Sequence, residues 1–140
     1  MPHKGNAARG IAVLACTLGL VFGTQQSATA AASRLSLWTN DSRTEEFGIG
    51  IWNDDPHGSQ PGDSIMACDF RSDKKYILVG LDTDQNGKAD RFATTQGNNA
   101  PYCSDWKSGD LKENERYSVW IWSMGSDGLN YGTIVYSVNS

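Results

Sequence analysis

Histidine, cysteine and proline are scarce in this chain, which has two, three and four of them among 140 residues. The two histidines, His3 and His57, are too few for a three-histidine metal centre. The nucleophile elbow and the HExxH pattern of hydrolases are also missing. We therefore expect no enzyme and place His57 in an exposed loop. A small hydrolase that uses paired carboxylates is the least favoured alternative.

Long apolar runs are missing beyond the first thirty residues, and the one such run lies near the start. It covers Ile11–Phe22, which is too short to span a bilayer comfortably. Basic residues precede it and small residues follow it, in the order typical of a secretory signal. We expect residues 1–30 to be removed after Ala30, or alternatively after Ala32, which leaves a single exported domain of residues 31–140.

This leader predicts a secreted, extracellular bacterial protein that has no membrane attachment once the signal is cleaved. Two alternatives remain open at this point. One is an uncleaved membrane anchor. The other is a lipoprotein processed at Cys16, which is disfavoured because that cut would divide the apolar run.

Basic charge is also in deficit, because twelve Lys and Arg residues face sixteen Asp and Glu residues, for a net charge of −4. Loss of Lys4 and Arg9 with the leader would lower the net charge by two, to −6. Such a surface repels phosphate backbones, which excludes nucleic acid as the expected partner. Cations are more natural ligands.

Only Cys68 and Cys103 remain after cleavage, an even pair in an oxidising compartment. Their disulfide would close a loop of about 35 residues and stabilise the fold by about 4 kcal/mol in the chain-entropy model. Free thiols or an intermolecular bridge are the alternatives.

Helical periodicity is almost absent after the leader, and short β-rich runs alternate with Gly, Asn, Asp and Pro turns. The pattern predicts an all-β fold, a single small antiparallel β-sandwich or barrel of about seven strands. A helical turn could lie only within 105–115. The predicted strands are Arg34–Thr39, Glu46–Trp52, Ser64–Phe70, Tyr76–Asp82, Ala89–Thr95, Arg116–Met124 and Tyr131–Val138.

The segment Asp82–Asp90, called the Asp loop below, has the sequence DTDQNGKAD. It resembles the DxDxNG calcium loops of EF-hands, dockerins and integrin-type repeat domains, in which alternate residues converge on one ion. The resemblance covers this loop alone and implies no whole-chain family. It implies a structural calcium ion held by side-chain oxygens and one backbone carbonyl. The implied ligands are Asp82, Asp84, Asn86, Lys88 (through its carbonyl) and Asp90.

The Asp loop departs from the EF-hand at its twelfth position, where Ala93 replaces the bidentate Glu. Its flanks also resemble strands, so another loop would have to complete the ion's shell, with Asp54, Asp55 or Asp63 as candidates.

A plain hairpin is the competing interpretation, because Asn86-Gly87 is a strong two-residue turn signal. That register pairs Leu81 with Phe92 and Asp82 with Arg91. It also places Asp90 on the opposite face from Asp82 and Asp84, so the three carboxylates could not bind one ion. The two interpretations exclude each other.

All five tryptophans follow the leader, and Trp120 and Trp122 point to one side of their predicted strand. With Trp52, they could form a surface on which sugar rings stack, while Asn and Asp side chains bind the hydroxyls. Gly48 and Gly50 lie on the Trp52 side, where a neighbouring ring could rest on bare backbone. The alternative is that the indoles fill the core.

The sequence therefore predicts a secreted, calcium-stabilised β-sandwich binding module, with carbohydrate or cell-wall glycan as ligand. We expect a monomer. The second hypothesis is a secreted inhibitor or toxin-like protein that binds another protein through a loop such as Asn53–Asp63, with the Asp loop only a turn.

Overall fold

The computed structural model describes residues 32–38 and 46–140. The predicted leader, its first cleavage site after Ala30 and the end of the first predicted strand at Thr39 lie outside these residues. Within them the chain forms β-strands and no helix, so none that is long and apolar enough to cross a membrane. The strands are β1 (Ser33–Trp38), β2 (Glu46–Asn53), β3 (Ser64–Asp69), β4 (Lys75–Asp82), β5 (Arg91–Thr94), β6 (Tyr102–Cys103), β7 (Arg116–Gly125) and β8 (Asn130–Asn139).

The strands build two antiparallel four-stranded sheets with the orders β1-β2-β3-β6 and β5-β4-β7-β8. This confirms the predicted all-β sandwich, and all seven predicted strands are present. The eighth, β6, was not predicted because two residues are too few for a periodic pattern. The 105–115 segment contains no helix. It is irregular, and its Lys107 lies beside β3, where it forms an isolated antiparallel bridge with Ile65.

The core lies between the sheets and is mainly aliphatic. In β7, the residues Tyr117, Val119 and Ile121 point inward and are at most 4% exposed, while alternate residues point outward. On the opposite sheet, Gly48 and Gly50 leave space for β4 and β7. A Cβ on Gly48 would lie 2.5 Å from Ile77 Cγ1, and one on Gly50 would lie 2.9 Å from Ile121 Cδ1. Isoleucines, and not an aromatic ring, therefore rest on this bare backbone.

The predicted disulfide between Cys68 and Cys103 is confirmed. It joins β3 to β6 at directly paired positions, and the chain that it closes contains β4, the Asp loop and β5. Next to the disulfide, the Ser104 amide extends the pairing of β3 with β6 by donating to the Ala67 carbonyl at 2.8 Å.

We predict that the double variant Cys68→Ala/Cys103→Ala loses about 4 kcal/mol of unfolding free energy, because its unfolded chain regains loop entropy. Urea unfolding of the oxidised protein measures this loss. Chemically reduced wild type is the control and should match the variant. An unchanged unfolding free energy would contradict the stabilising role.

Candidate metal centre and aromatic face

The Asp loop is not a plain two-residue hairpin. The ladder between β4 and β5 pairs Gly80 with Phe92 and Leu81 with Arg91, one residue away from the predicted hairpin register. The expected Asp82–Arg91 pair is therefore absent, and Arg91 Nη1 instead donates to the Asp63 carbonyl at 2.6 Å. Relative to the two-residue turn, the loop contains one more residue, which lies outside the ladder where the chain curls.

The curl forms around the Asp82 carboxylate, which is 3% exposed. Its oxygens accept the backbone amides of Asn86 at 3.0 Å and Gly87 at 2.7 Å. Gln85 and Gly87 adopt positive φ values of 59° and 85°, the left-handed backbone conformation found in tight turns. The side chain at the end of β4 thus sets the path of the loop that follows it.

Side chains further along the loop hold one another. Asp84 Oδ2 accepts a hydrogen bond from Asn86 Nδ2 at 2.8 Å, and Asn86 Oδ1 accepts the Lys88 amide at 2.9 Å. The Asp90 carboxylate accepts the Thr83 hydroxyl at 2.8 Å, which ties the two ends of the loop together. The sequence pattern did not single out Thr83, because a hydroxyl at that position is not part of the ligand spacing.

The outcome is that Asp82, Asp84 and Asp90 converge, with one carboxylate oxygen from each lying within 4.8 Å of the others. This group could hold a metal ion. The convergence contradicts the flat ribbon of the hairpin alternative, in which Asp90 faces away. Asn86 and Lys88 stay predicted ligands.

The residues considered as further ligands of the ion differ in whether they could contribute an oxygen to it. Asp63 is not free for this role, since its carboxylate accepts the Leu111 amide at 2.9 Å and the Ser140 hydroxyl at 2.7 Å. Ala93 at the twelfth position is fully buried in β5 and belongs to the core. Asp54 and Asp55 lie in the loop after β2, where Asp55 is exposed.

The tryptophans divide between the two sides of the sandwich. Trp52 is 3% exposed in the core, with Nε1 donating to the Asn139 carbonyl at 3.2 Å. Its predicted place on a ligand surface is therefore wrong. Trp120 and Trp122 lie half-buried on the outer side of β7, so core filling, the alternative for these two indoles, is also wrong.

The outer side of this sheet carries three neighbouring aromatic rings, Trp120, Trp122 and Phe92, called the aromatic face below. The two indole planes are parallel to within 6°, with ring centroids 6.4 Å apart. Phe92 is tilted by 33° at 6.4 Å from Trp122 and is 45% exposed. The described residues form only two sheets, so no third layer of strands covers these rings.

Phe92 was missed because of the one-residue register difference. The hairpin register pairs it with Leu81, which points into the core, whereas the observed register pairs it with outward-facing Gly80. Asp82, paired with Ser118, points to the same side of the sheet as the rings, so one of the expected acidic residues borders them. The other registered outward neighbours are apolar or carry hydroxyls. They are Leu78, Thr94, Ser118, Thr133, Val135 and Ser137.

The Asp loop borders the aromatic face at Gly80. A Cβ on Gly80 would lie 2.6 Å from Ala89 Cβ in the loop and 2.8 Å from Trp122 Cζ3 on the face. Gly80 and Asp82 also point to the same side of β4, being two residues apart. The acidic group and the indoles therefore lie on the same surface and share one contact point.

His57 lies in the exposed turn that it closes with Gln60, where its amide donates to the Gln60 carbonyl at 3.0 Å. Among the described residues, no hydrogen bond or ion pair links His57 to the Asp loop or to the aromatic face.

Comparisons with models of protein families, with curated proteins and with solved structures find no match to this chain.

Proposed function

We propose that the protein is a secreted binding module in which the aromatic face contacts carbohydrate and the Asp loop holds a structural calcium ion. The observation that carries this proposal is the pair of parallel, half-exposed indoles beside a convergent group of three carboxylates. The domain's disulfide is in keeping with an oxidising, extracytoplasmic setting.

Carbohydrate suits the aromatic face because the faces of indole rings carry negative partial charge. The C–H groups on one side of a pyranose carry positive partial charge and stack on such a surface. Hydroxyl groups of Thr94, Thr133 and Ser118 lie at neighbouring positions, where they can exchange hydrogen bonds with sugar hydroxyls.

Calcium suits the Asp loop because the converging atoms are carboxylate oxygens, with no sulfur or imidazole among them. A set of hard oxygen donors favours calcium over the softer transition metals. A divalent cation would also relieve the repulsion among three acidic groups held within 4.8 Å. Its role would be structural, since it would fix Ala89 where the loop meets Gly80 and Trp122.

The second candidate is an inhibitor or toxin-like protein that binds another protein. It is favoured by the rigid loop between β2 and β3, in which Asn53 Nδ2 donates to the carbonyls of Asp55 at 2.8 Å and Pro61 at 2.7 Å. The Asp63 amide closes the same loop on the Asp54 carbonyl at 2.9 Å. Preorganised loops of this kind lower the entropic cost of binding a protein.

We predict that calcium stabilises the mature protein through the Asp loop. At a free calcium concentration 100 times its dissociation constant, the ion should add about 2.7 kcal/mol to the unfolding free energy. Asp84→Asn should abolish most of this gain, because it removes one anionic ligand at an exposed position. The matched control is Asp110→Asn, which removes the same charge at an exposed site outside the loop.

Thermal melts with calcium, with magnesium and with chelator measure the effect. A wild-type melting temperature that is indifferent to calcium would remove the ion from the proposal. An equal calcium response in Asp84→Asn would remove the Asp loop as its site.

We predict that Trp122→Ala weakens retention on the glycan that the wild type binds by about tenfold or more, which corresponds to about 1.4 kcal/mol. Pull-down on insoluble chitin, cellulose and peptidoglycan, followed by elution with soluble oligosaccharide, measures it. Trp106→Ala is the control, since Trp106 is a half-buried indole outside the aromatic face. Unchanged retention in Trp122→Ala, or equal loss in Trp106→Ala, would count against the aromatic face.

A further inference from the structure

Strand β8 is an end strand of its sheet, and within the part of the chain that the structure describes it lacks the charges and prolines that usually protect such edges. It runs for ten residues, NYGTIVYSVN, with no charged residue and no proline. Exposed edges normally carry charges, prolines or bulges, because their free amides and carbonyls otherwise pair with another strand. In β8 the one register irregularity lies at the end near Met124, and the pairing with β7 is regular from Gly132 to Asn139.

The other three edges are protected. Strand β6 has two residues, and β5 has four and begins with Arg91. Strand β1 carries the ion pair of Arg34 with Glu46 of β2, and the Tyr136 hydroxyl donates to its Ser36 carbonyl at 2.7 Å. Among the described residues, β8 is thus the one edge strand longer than two residues that carries no charge. The Trp52 indole binds its Asn139 carbonyl, but only at one end of the strand.

We propose that β8 pairs antiparallel with β8 of a second copy of this chain, around a two-fold axis at Val135. Val135 is 51% exposed on the outer side of the sheet and is paired with Trp120 of β7. At the axis it would meet Val135 of the second copy and become covered. The sequence-based expectation of a monomer lacked the information that β8 is an edge.

The strand is complementary to itself in this register. Residues equally distant from Val135 on either side become cross-strand neighbours, so Thr133 faces Ser137 and Ile134 faces Tyr136. Hydroxyl pairs and pairs of aromatic with β-branched side chains are favourable across antiparallel strands. A closed two-fold interface also satisfies both edges at once and leaves no new edge beside it.

The distribution of charge favours contact between two copies at β8 over contact between them at other parts of the surface. The chain carries a net charge of −4, so two copies repel each other in general. The uncharged β8 is a place where they can approach without bringing like charges together. A strongly basic partner would form no ion pair with this strand, because the strand offers no acidic residue.

Analytical ultracentrifugation of the mature protein over a concentration series tests the proposal. We expect a dimer for the wild type and a dimer dissociation constant raised by about tenfold or more in Val135→Lys and in Val135→Glu, because each places like charges at the axis. Mixing the two variants should restore a heterodimer, since Lys then faces Glu. Leu129→Lys is the control, as it adds the same charge at a loop position that is 61% exposed.

Thermal melts confirm that each variant is folded, which the exposure of Val135 favours. A monomeric wild type at the highest soluble concentration would overturn the proposal. So would a dimer that Val135→Lys leaves intact, or a mixture of Lys and Glu variants that stays monomeric. If the wild type is monomeric, the β8 edge would instead be available for pairing with a strand from a different protein.

Discussion

The hydrogen bonding of the buried Asp82 carboxylate at the end of β4 is the interaction on which both the acidic group and the aromatic face depend. By accepting the amides of Asn86 and Gly87, it makes the chain curl before it returns as β5. Returning with Leu81 opposite Arg91 turns Phe92 outward and leaves Asp90 beside Asp82 and Asp84. One side chain thus accounts for both the acidic group and the third ring of the aromatic face, since a one-residue change of register reverses the side of every following residue.

The position of the indoles follows from how closely the two sheets approach. Ile77 and Ile121 pack directly over the backbone of Gly48 and Gly50, so there is no room for a large ring at those inner positions. In β7 the inward residues next to Trp120 and Trp122 are Val119 and Ile121, and strand alternation leaves the outer side for the indoles. Trp52 can be internal because it lies at the end of the core, where its Nε1 reaches the Asn139 carbonyl.

The sequence was sufficient for the features that depend on local pattern or simple counting. Runs of β-branched and aromatic residues located seven strands, and the two cysteines that follow the predicted leader left one intramolecular pairing. It was insufficient where long-range contacts decide. Both sides of β7 are apolar, so periodicity could not assign the Trp120 side to solvent. The Asn86-Gly87 turn signal favoured a register that the Asp82 carboxylate overrides, and Thr83 became part of the loop only through its bond to Asp90.

The aromatic face and the β8 edge meet at one cross-strand pair, Trp120 with Val135. Strand pairing extends a sheet within its own plane, whereas a ligand on the aromatic face approaches along the perpendicular direction. A second copy at β8 would therefore widen the outer surface without covering Trp122 or Phe92. In such a dimer the two aromatic faces lie on the same side of one continuous sheet, and a polymeric ligand that reaches both would be held by two linked contacts, which raises avidity without any new interaction in either copy.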